Sequence, residues 1–468
     1  MSKRVKYISP DIACIRAIET TQRLKINVEK HIQNKSGVLK KAKPKGYTID
    51  IAPKLNERLD VGQVIKAFAE NKKIALKITD AYVKSIGASV TKETQSHSMQ
   101  IQIFSFCSKG FSRSKASYFR SIIPLSKKLT FFNLIETESF YNDEFSSRGL
   151  VKLNFNGHEF EVYIIEREKK KYLCTECASK LTTEDFMEFN WSIKVALGYL
   201  LGHLPQDDEY FFAYNKREMK QSSGFIYQQQ RDSIRTIYTP INTNPYGWKM
   251  KRSIADEYYG KIQEINSLQL SKLCELIYNE EDIKAILLLI TESLSRSLLL
   301  MPAGLSVALE GLSSYFYQKD ISKIRPIKDN SLGKRFISEL KNIVDRYETE
   351  EGFTGYEILL SKILNINSPT NREKLKAPFS YQEINLTGVD EEILEYRNDF
   401  LHGNLNLKPQ KGKKSYTMDS FEISLRLLTL LNMCILKMAG YCGYIINHVK
   451  MQEKGLNKKI KEDYYRII

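Results

Sequence analysis

The spacing of hydrophobic residues changes midway along the chain, and this change constrains the fold more than any other feature. In the first half apolar and polar residues alternate, as at Met99 and Ile101, which is typical of half-buried strands. From Ile254 onward apolar residues recur with a helical period of about 3.6 residues. We therefore predict an α+β N-terminal domain, mostly antiparallel β, over residues 1–250, followed by an all-α helical bundle over residues 251–468.

Composition narrows the class of protein. A chain of 468 residues is long enough for two or three domains. The net charge of +16 favours polyanionic partners, either nucleic acid or an acidic membrane surface. The most apolar stretches, 283–301 and 421–447, are interrupted by charged residues and indicate buried helices. With seven cysteines and no apolar leader, we expect a cytoplasmic protein that does not enter a membrane and has no disulfide framework.

One β-hairpin is predicted with particular clarity in the first half. Alternating residues lead up to Asn156-Gly157 and away from it, and this dipeptide favours the positive φ angles of a type I′ turn. A helix capped by Thr182 or Thr183 follows, and Pro205 is expected to end it. Further strand-like segments continue to a turn-rich patch at 240–247, which we take as the domain boundary.

Two features of this half leave alternatives open. Cys174 and Cys177 form a lone CxxC, which is compatible with ordinary free cysteines, with a structural zinc site completed by His158 and His203, or with a redox pair. The lysine-rich segment 35–45 could contact phosphates or be a solvated loop. Nothing in the first half has a catalytic pattern, so we interpret it as a recognition or sensor module.

The second half is predicted to consist of helices joined by two polar insertions, 319–330 and 367–388. The helices are expected near residues 254–265, 267–279, 281–300, 303–318, 331–347, 355–366, 389–402 and 416–447. The helix near 389–402 begins either at Asp390 or at a cap formed by Thr387 with Asp390.

The end of that helix carries a possible catalytic pattern: Arg397, then Asn398, then three residues, then His402. Asn398 and His402 share a helix face, whereas Arg397 and His402 lie about 140° apart on an ideal helix. They can meet at one phosphate only if the helix end is distorted or a partner helix contributes. Gly403 is a natural C-cap. The negative helix end raises a histidine pKa towards the range that acid–base catalysis needs.

This pattern resembles the ribonuclease motif of the HEPN superfamily, which has Arg, a polar residue, three further residues and His. Leu309-Glu310-Gly311-Leu312 on an earlier helix is similar to the "LE-x-L" helix of Apea-like HEPN proteins. The resemblance covers about residues 255–450 and departs from the family in having no second Arg-x4-His pair. It implies a metal-independent endoribonuclease without cofactors, acting as a homodimer or higher oligomer in which two motif helices form one cleft.

The resemblance also implies a role for each residue. His402 would take the proton of a ribose 2′-OH, Arg397 would stabilise the charge on the attacked phosphate, and Asn398 would orient either group. The substrate would be RNA, either tRNA or mRNA. The wider role implied is anti-phage abortive infection or toxicity, with a phage-derived trigger bound by the N-terminal domain.

Candidate substrate-binding residues flank the motif. Lys408, Lys411, Lys413 and Lys414 form a basic loop that would hold the RNA backbone, or would simply be solvated. Glu310 is a further candidate on its earlier helix. Two alternatives compete with catalysis: a non-catalytic HEPN-like RNA-binding or dimerisation module, and a helix-end histidine beside an arginine that forms a surface salt bridge with Asp399 or Glu395.

Overall fold

The structure is a computed structural model of the chain. It describes residues 7–29, 31–43, 45–53, 59–71, 74–90, 95–126, 129–141, 146–248, 250–295, 297–319, 325–351, 354–401 and 418–468. The chain forms two compact units, each built from two separate segments. The first unit is Met1–Ile237 with Glu264–Asn279, and the second is Tyr238–Gln263 with Glu280–Ile468.

Strands dominate the first unit and helices the second. The strands are β1 Gln22–Val28, β2 Ile32–Lys41, β3 Tyr47–Ile51, β4 Val64–Glu70, β5 Ala75–Val90, β6 Gln95–Ser108, β7 Tyr118–Leu125, β8 Glu138–Tyr141, β9 Ser146–Phe155, β10 His158–Arg167, β11 Lys170–Cys177, β12 His203–Leu204, β13 Asp208–Tyr214, β14 Gly224–Gln229, β15 Ile234–Arg235, β16 Tyr444–Ile446 and β17 Tyr465–Ile467. The α-helices are α1 Ser9–Glu19, α2 Thr183–Leu201, α3 Arg252–Tyr258, α4 Ser267–Asn279, α5 Glu281–Ser293, α6 Leu300–Lys319, α7 Asn330–Glu351, α8 Tyr356–Leu364, α9 Asn371–Tyr381, α10 Gly388–Leu401, α11 Ser420–Met438 and α12 His448–Met451. A 3-10 helix spans Pro245–Gly247.

The first six strands form a closed antiparallel barrel, with the order β1-β2-β3-β6-β5-β4 and back to β1. From β6 the sheet continues outside the barrel through β14, β13, β7, β11, β10, β9 and β8. The predicted fold class is therefore wrong for this half of the chain, because the N-terminal domain is a barrel with additional strands. Closure depends on the pairings β3–β6 and β1–β4, which join segments that alternation alone cannot match.

Helix α1 and the barrel share one hydrophobic core. Ile12 and Ile15 of α1 pack in the same buried cluster as the inward-facing residues of β1 to β6. The fully buried Arg120 of β7 donates hydrogen bonds to Asp11 of α1 and to Glu176 of β11, the latter at 2.8 Å. This buried ion cluster ties α1 to the sheet.

Local predictions in the first unit agree with the structure. β9 and β10 form the predicted hairpin, and Asn156 and Gly157 have φ angles of 47° and 76°. Thr182 caps α2 by accepting a hydrogen bond from the backbone N–H of Asp185 at 3.2 Å. The helix ends at Gly202 in the left-handed conformation, before the expected stop at Pro205.

The second unit is mainly helical, but it is not all-α, because β16 and β17 form an antiparallel pair. The predicted helix over 416–447 ends at Met438, so its last part is turn and strand. The predicted insertion 367–388 contains helix α9, in which Pro378 is an interior residue. Within the residues that the structure describes, no helix is both long and apolar enough to cross a membrane.

Candidate active site

Helix α10 carries the first part of the predicted catalytic motif. The backbones of Arg397 and Asn398 belong to its last two turns, but their side chains lie outside the described residues. His402 lies wholly outside them. So do the four lysines of the predicted substrate loop, Lys408, Lys411, Lys413 and Lys414. Of the candidate site residues, Glu310 alone has a described side chain, and it is half-buried on α6.

The first turn of α10 is held by a reciprocal cap. The backbone N–H of Thr387 donates to Asp390 Oδ2 at 2.8 Å, and the backbone N–H of Asp390 donates to Thr387 Oγ1 at 3.2 Å. This geometry confirms the alternative in which Thr387 caps the helix. Two backbone donors at the helix start are thereby satisfied, which stabilises a helix by about 1 kcal/mol.

Asp390 also forms a buried, bidentate ion pair with Arg466 of β17. Both guanidinium nitrogens donate to the carboxylate at 2.8 Å, and Asp390 is only 3% exposed. Burial alone would raise the pKa of Asp390. The hydrogen bonds and charge of Arg466, together with those from Thr387, outweigh burial and hold the pKa below its usual value. Arg466 was not predicted as part of the site, because nothing local in the sequence links it to α10.

The middle of α10 is fixed by packing and by ion pairs with α9. Ile393 and Leu394 are fully buried, and α10 packs against α6, α9 and α11. On its solvent side, Glu391 pairs with Lys376 at 2.5 Å, and Glu395 pairs with Arg372 at 3.2 Å. These partly exposed pairs add little stability individually. The buried face therefore holds the helix in place more strongly than its charged face does.

The LE-x-L segment lies on α6, which packs against α5, α9, α10 and α11. Leu309 and Leu312 are fully buried, so the two leucines of this segment are core residues. The structure thus brings the helix of Glu310 into contact with the motif helix. The distance from Glu310 to the motif side chains falls outside what the structure describes.

A pocket of about 560 Å³ lies at the first turn of α10, lined among others by Thr387, Tyr465 and Arg466. Helix α10 has 14 residues, so at 1.5 Å per residue its two ends are about 20 Å apart. The pocket is therefore at the opposite end of the helix from the predicted catalytic residues. It does not coincide with the predicted active site.

The lone CxxC lies in strand β11. Cys174 and Cys177 are both fully buried, and three positions along a strand place two side chains on opposite faces. Within the described part of the chain, no group of three or more His, Cys, Asp or Glu side chains is placed to hold a metal ion. The structure therefore favours the interpretation of these residues as ordinary core cysteines.

No protein-family model, no curated protein and no solved structure matches this chain.

Proposed function

We propose that this chain is a metal-independent endoribonuclease of the HEPN type, cleaving tRNA or mRNA by attack of a ribose 2′-OH. The observation that carries the proposal is the Arg397-Asn398-x3-His402 motif, which begins in a helix whose first turn is held by a buried ion pair. Such anchoring supports catalysis, since reacting groups must be held to within about 0.5 Å.

The reaction follows from the motif chemistry. His402 accepts the proton of the 2′-OH, and the 2′ oxygen forms a bond to the adjacent phosphorus. The bond from phosphorus to the 5′ oxygen breaks, and that oxygen takes a proton from solvent, to which His402 returns the proton it accepted. The products are a 2′,3′-cyclic phosphate and a 5′-hydroxyl. Arg397 stabilises the negative charge on the phosphate, and Asn398 orients the imidazole or the phosphate. DNA is not cleaved, because it lacks the nucleophile.

The proposed active form is a homodimer or higher oligomer, because one chain supplies only one motif. Two copies of α10, related by a two-fold axis, would form a single cleft. The first unit would bind a phage-derived trigger, and the response would be cleavage of host RNA that halts growth. On dilution below the dimer dissociation constant, the specific activity should fall. Equal specific activity from a purely monomeric protein would contradict this arrangement.

The decisive experiment is RNA cleavage in excess chelator. Purified protein is incubated with a mixed tRNA pool, with and without extract of phage-infected cells, and the products are tested for 2′,3′-cyclic phosphate ends. His402→Ala should lower the rate by about 10²- to 10⁴-fold. The matched control is His31→Ala, since His31 is an exposed histidine of the first unit. Equal RNA cleavage rates for His402→Ala and wild type would contradict the proposed mechanism.

The alternative function is a non-catalytic HEPN-like module that binds RNA or dimerises, which the basic segment 408–414 favours. In that case wild type and His402→Ala would both leave RNA intact. RNA affinity would still fall with salt, and neutralising Lys408, Lys411, Lys413 and Lys414 would weaken it. Cleavage that depends on His402 excludes this alternative.

A further inference from the structure

The outer side of the barrel presents apolar and basic side chains together. Strand β4 alternates between exposed and buried residues, and its outward residues Val64 and Phe68 are 73% and 41% exposed. Lys66 lies between them and is also exposed. On the neighbouring strand β5, Tyr82 is opposite Val64, and Lys77 is opposite Phe68. Large apolar side chains that flank lysines on a solvent face are typical of an interaction surface.

An aromatic stack continues this surface onto β6. The rings of Tyr82 and Phe104 lie 5.5 Å apart with an angle of 22° between their planes, and both side chains are half-buried. Stacked rings that remain partly accessible can extend the stack onto a planar base. Unlike a core aromatic pair, this one is on the outer side of the strands.

A depression of about 440 Å³ lies beside the stack, lined by Lys66, Lys77, Arg113 and the hydroxyls of Thr79 and Ser105, among others. Among the described residues, no carboxylate forms an ion pair with any of these three cations. Burial raises the pKa of the Cys107 thiol, and the positive charges of Lys77 and Arg113 oppose this rise. Both cations therefore lie close to the Cys107 thiol.

A β-bulge shapes the depression. Consecutive residues of a regular strand point to opposite faces, yet both Thr79 and Asp80 line the depression. The pairing of β5 with β6 is irregular at Asp80, which allows both side chains to reach the same side. The hydroxyl of Thr79 donates to that of Ser105 at 3.0 Å. The irregular strand thus gathers polar groups beside the aromatic stack.

The other basic region of the first unit is less suited to an anion. Lys40, Lys41 and Lys45, from the lysine-rich segment predicted to contact phosphates or solvent, lie within 2.8 Å of Asp50, Asp208 and Asp232, respectively. Their charges are therefore already compensated by carboxylates. By contrast, Lys66 of β4 and Lys77 of β5 form no ion pair with a carboxylate among the described residues.

We propose that this face of the barrel binds single-stranded nucleic acid. The binding surface, here called the barrel strip, comprises Lys66, Phe68, Lys77, Tyr82, Phe104 and Arg113. Bases stack on the aromatic residues while the phosphates run past the lysines and the arginine, a combination that binds strands with little dependence on sequence. This inference concerns the first unit and stands independently of RNA cleavage by the second.

The depression also contains two carboxylates, Glu29 and Asp80. They would repel a phosphate, but they can accept hydrogen bonds from the amino groups of bases. The bases therefore face Glu29 and Asp80, and the backbone follows the three cations. The carboxylate side chains of an acidic protein segment would meet the same carboxylates and cannot stack on the rings, so nucleic acid fits the barrel strip better.

The test measures binding without cleavage. A fluorescein-labelled 12-nucleotide single-stranded DNA is titrated with the full chain, and fluorescence anisotropy gives Kd over a range of salt concentrations. Phe68→Ala should weaken binding about 5- to 150-fold, as expected for the loss of one stacked base. Lys66→Gln combined with Lys77→Gln should lower the slope of log K against log salt by about 1.4, since each phosphate contact contributes about 0.7.

Matched controls come from elsewhere on the first unit. Phe132 is 75% exposed and lies outside the barrel strip, so Phe132→Ala should leave Kd unchanged. Lys152→Gln combined with Lys272→Gln removes the same charge from two exposed positions on β9 and α4, away from the barrel strip, and should preserve the salt slope. Melting temperatures of all variants confirm that folding is intact.

Three results would overturn the proposal. The first is that the strip variants bind the oligonucleotide as the controls do, and the second is that wild type does not bind it. The third is that polyglutamate displaces the oligonucleotide equally well at equal charge, which would favour an acidic protein as the partner. None of these results bears on cleavage by His402, which is measured separately with RNA.

Discussion

The buried ion pair at the start of α10 supports a sharp prediction for Asp390→Asn. The asparagine keeps an oxygen that can accept the hydrogen bond from Thr387, so the cap is largely retained while the negative charge is lost. Arg466 then remains a partly buried cation without its carboxylate. We expect the second unit to lose stability, and the amides of α10 to exchange faster with solvent.

The magnitude follows from burial. Removing one partner of a fully buried pair costs about 3–5 kcal/mol. The Asp390 side chain is 4% exposed, but Arg466 is 17% exposed, so water compensates part of the loss. We expect about 2–4 kcal/mol, which for a unit of this size corresponds to a fall in Tm of about 4–16 °C.

The matched control is Glu391→Gln, which removes the same charge one residue further along the helix. The Glu391 side chain is 38% exposed and pairs with Lys376 and Arg372 on the surface. Its loss should cost much less than the loss of Asp390, because solvent screens this surface pair. Thermal and chemical unfolding, with hydrogen exchange for α10 itself, compare the two variants. If Asp390→Asn is no more destabilising than Glu391→Gln, the anchoring role of the ion pair is wrong.

The same pair predicts a pH dependence. The folded pKa of Asp390 is depressed. Its contribution is therefore complete above the unfolded pKa of about 3.9 and is lost as pH falls through the folded pKa. Wild type should thus exceed Asp390→Asn in stability by the full amount at neutral pH, and the difference should shrink only in strong acid. A difference that vanished at pH 5 would contradict the assignment.

Two further predictions concern other buried positions. Burial lowers the pKa of His448 to about 3, whereas an unfolded chain protonates histidine below about pH 6.5, so stability should fall by about 2 kcal/mol between pH 6.5 and 5.0. Chemical denaturation should show that His448→Gln removes most of this dependence, and an unchanged slope would refute the reasoning. Gly37→Ala would force a methyl group into the side chain of Ile26 inside the barrel and should cost about 1–3 kcal/mol. Gly388→Ala, where an added Cβ meets nothing within 4 Å, should cost nothing, and equal melting temperatures for the two variants would contradict this packing.

Local sequence signals predicted local structure well. The predicted helix over 267–279 coincides with α4, and the Asn156-Gly157 hairpin forms in the expected register. Each depends on interactions between near neighbours: helical spacing of apolar residues in one case, and positive φ angles in the other. Such signals are complete within a few residues, so a single sequence contains them.

Barrel closure could not be predicted in this way. The pairing of Ile49 with Ile101 joins strands far apart in the chain, and many other alternating segments would have matched equally well. The burial of Arg120 could not be predicted either, because an isolated arginine in a strand normally faces solvent. Both features depend on partners that only the folded chain brings together.

The candidate site shows the same division. The spacing of Arg397, Asn398 and His402 identified candidate chemistry, and Thr387 with Asp390 identified the helix start. Arg466 was missed, since its role depends on the tertiary pairing of β17 with β16 near the start of α10. The spacing of residues along the sequence identifies side chains on the same helix. It does not identify a residue from a distant strand, such as Arg466, that holds the helix in place.

The position of α4 in the chain has a consequence for biosynthesis. Residues 264–279 complete the first unit, but they emerge from the ribosome after residues 238–263, which belong to the second. The buried face of α4, including Leu270 and Leu273, is therefore absent while the rest of the first unit is being made. A nascent chain of about 250 residues would expose the matching apolar surface and be prone to aggregation until α4 is made. No single cut in the gene would separate the two units cleanly.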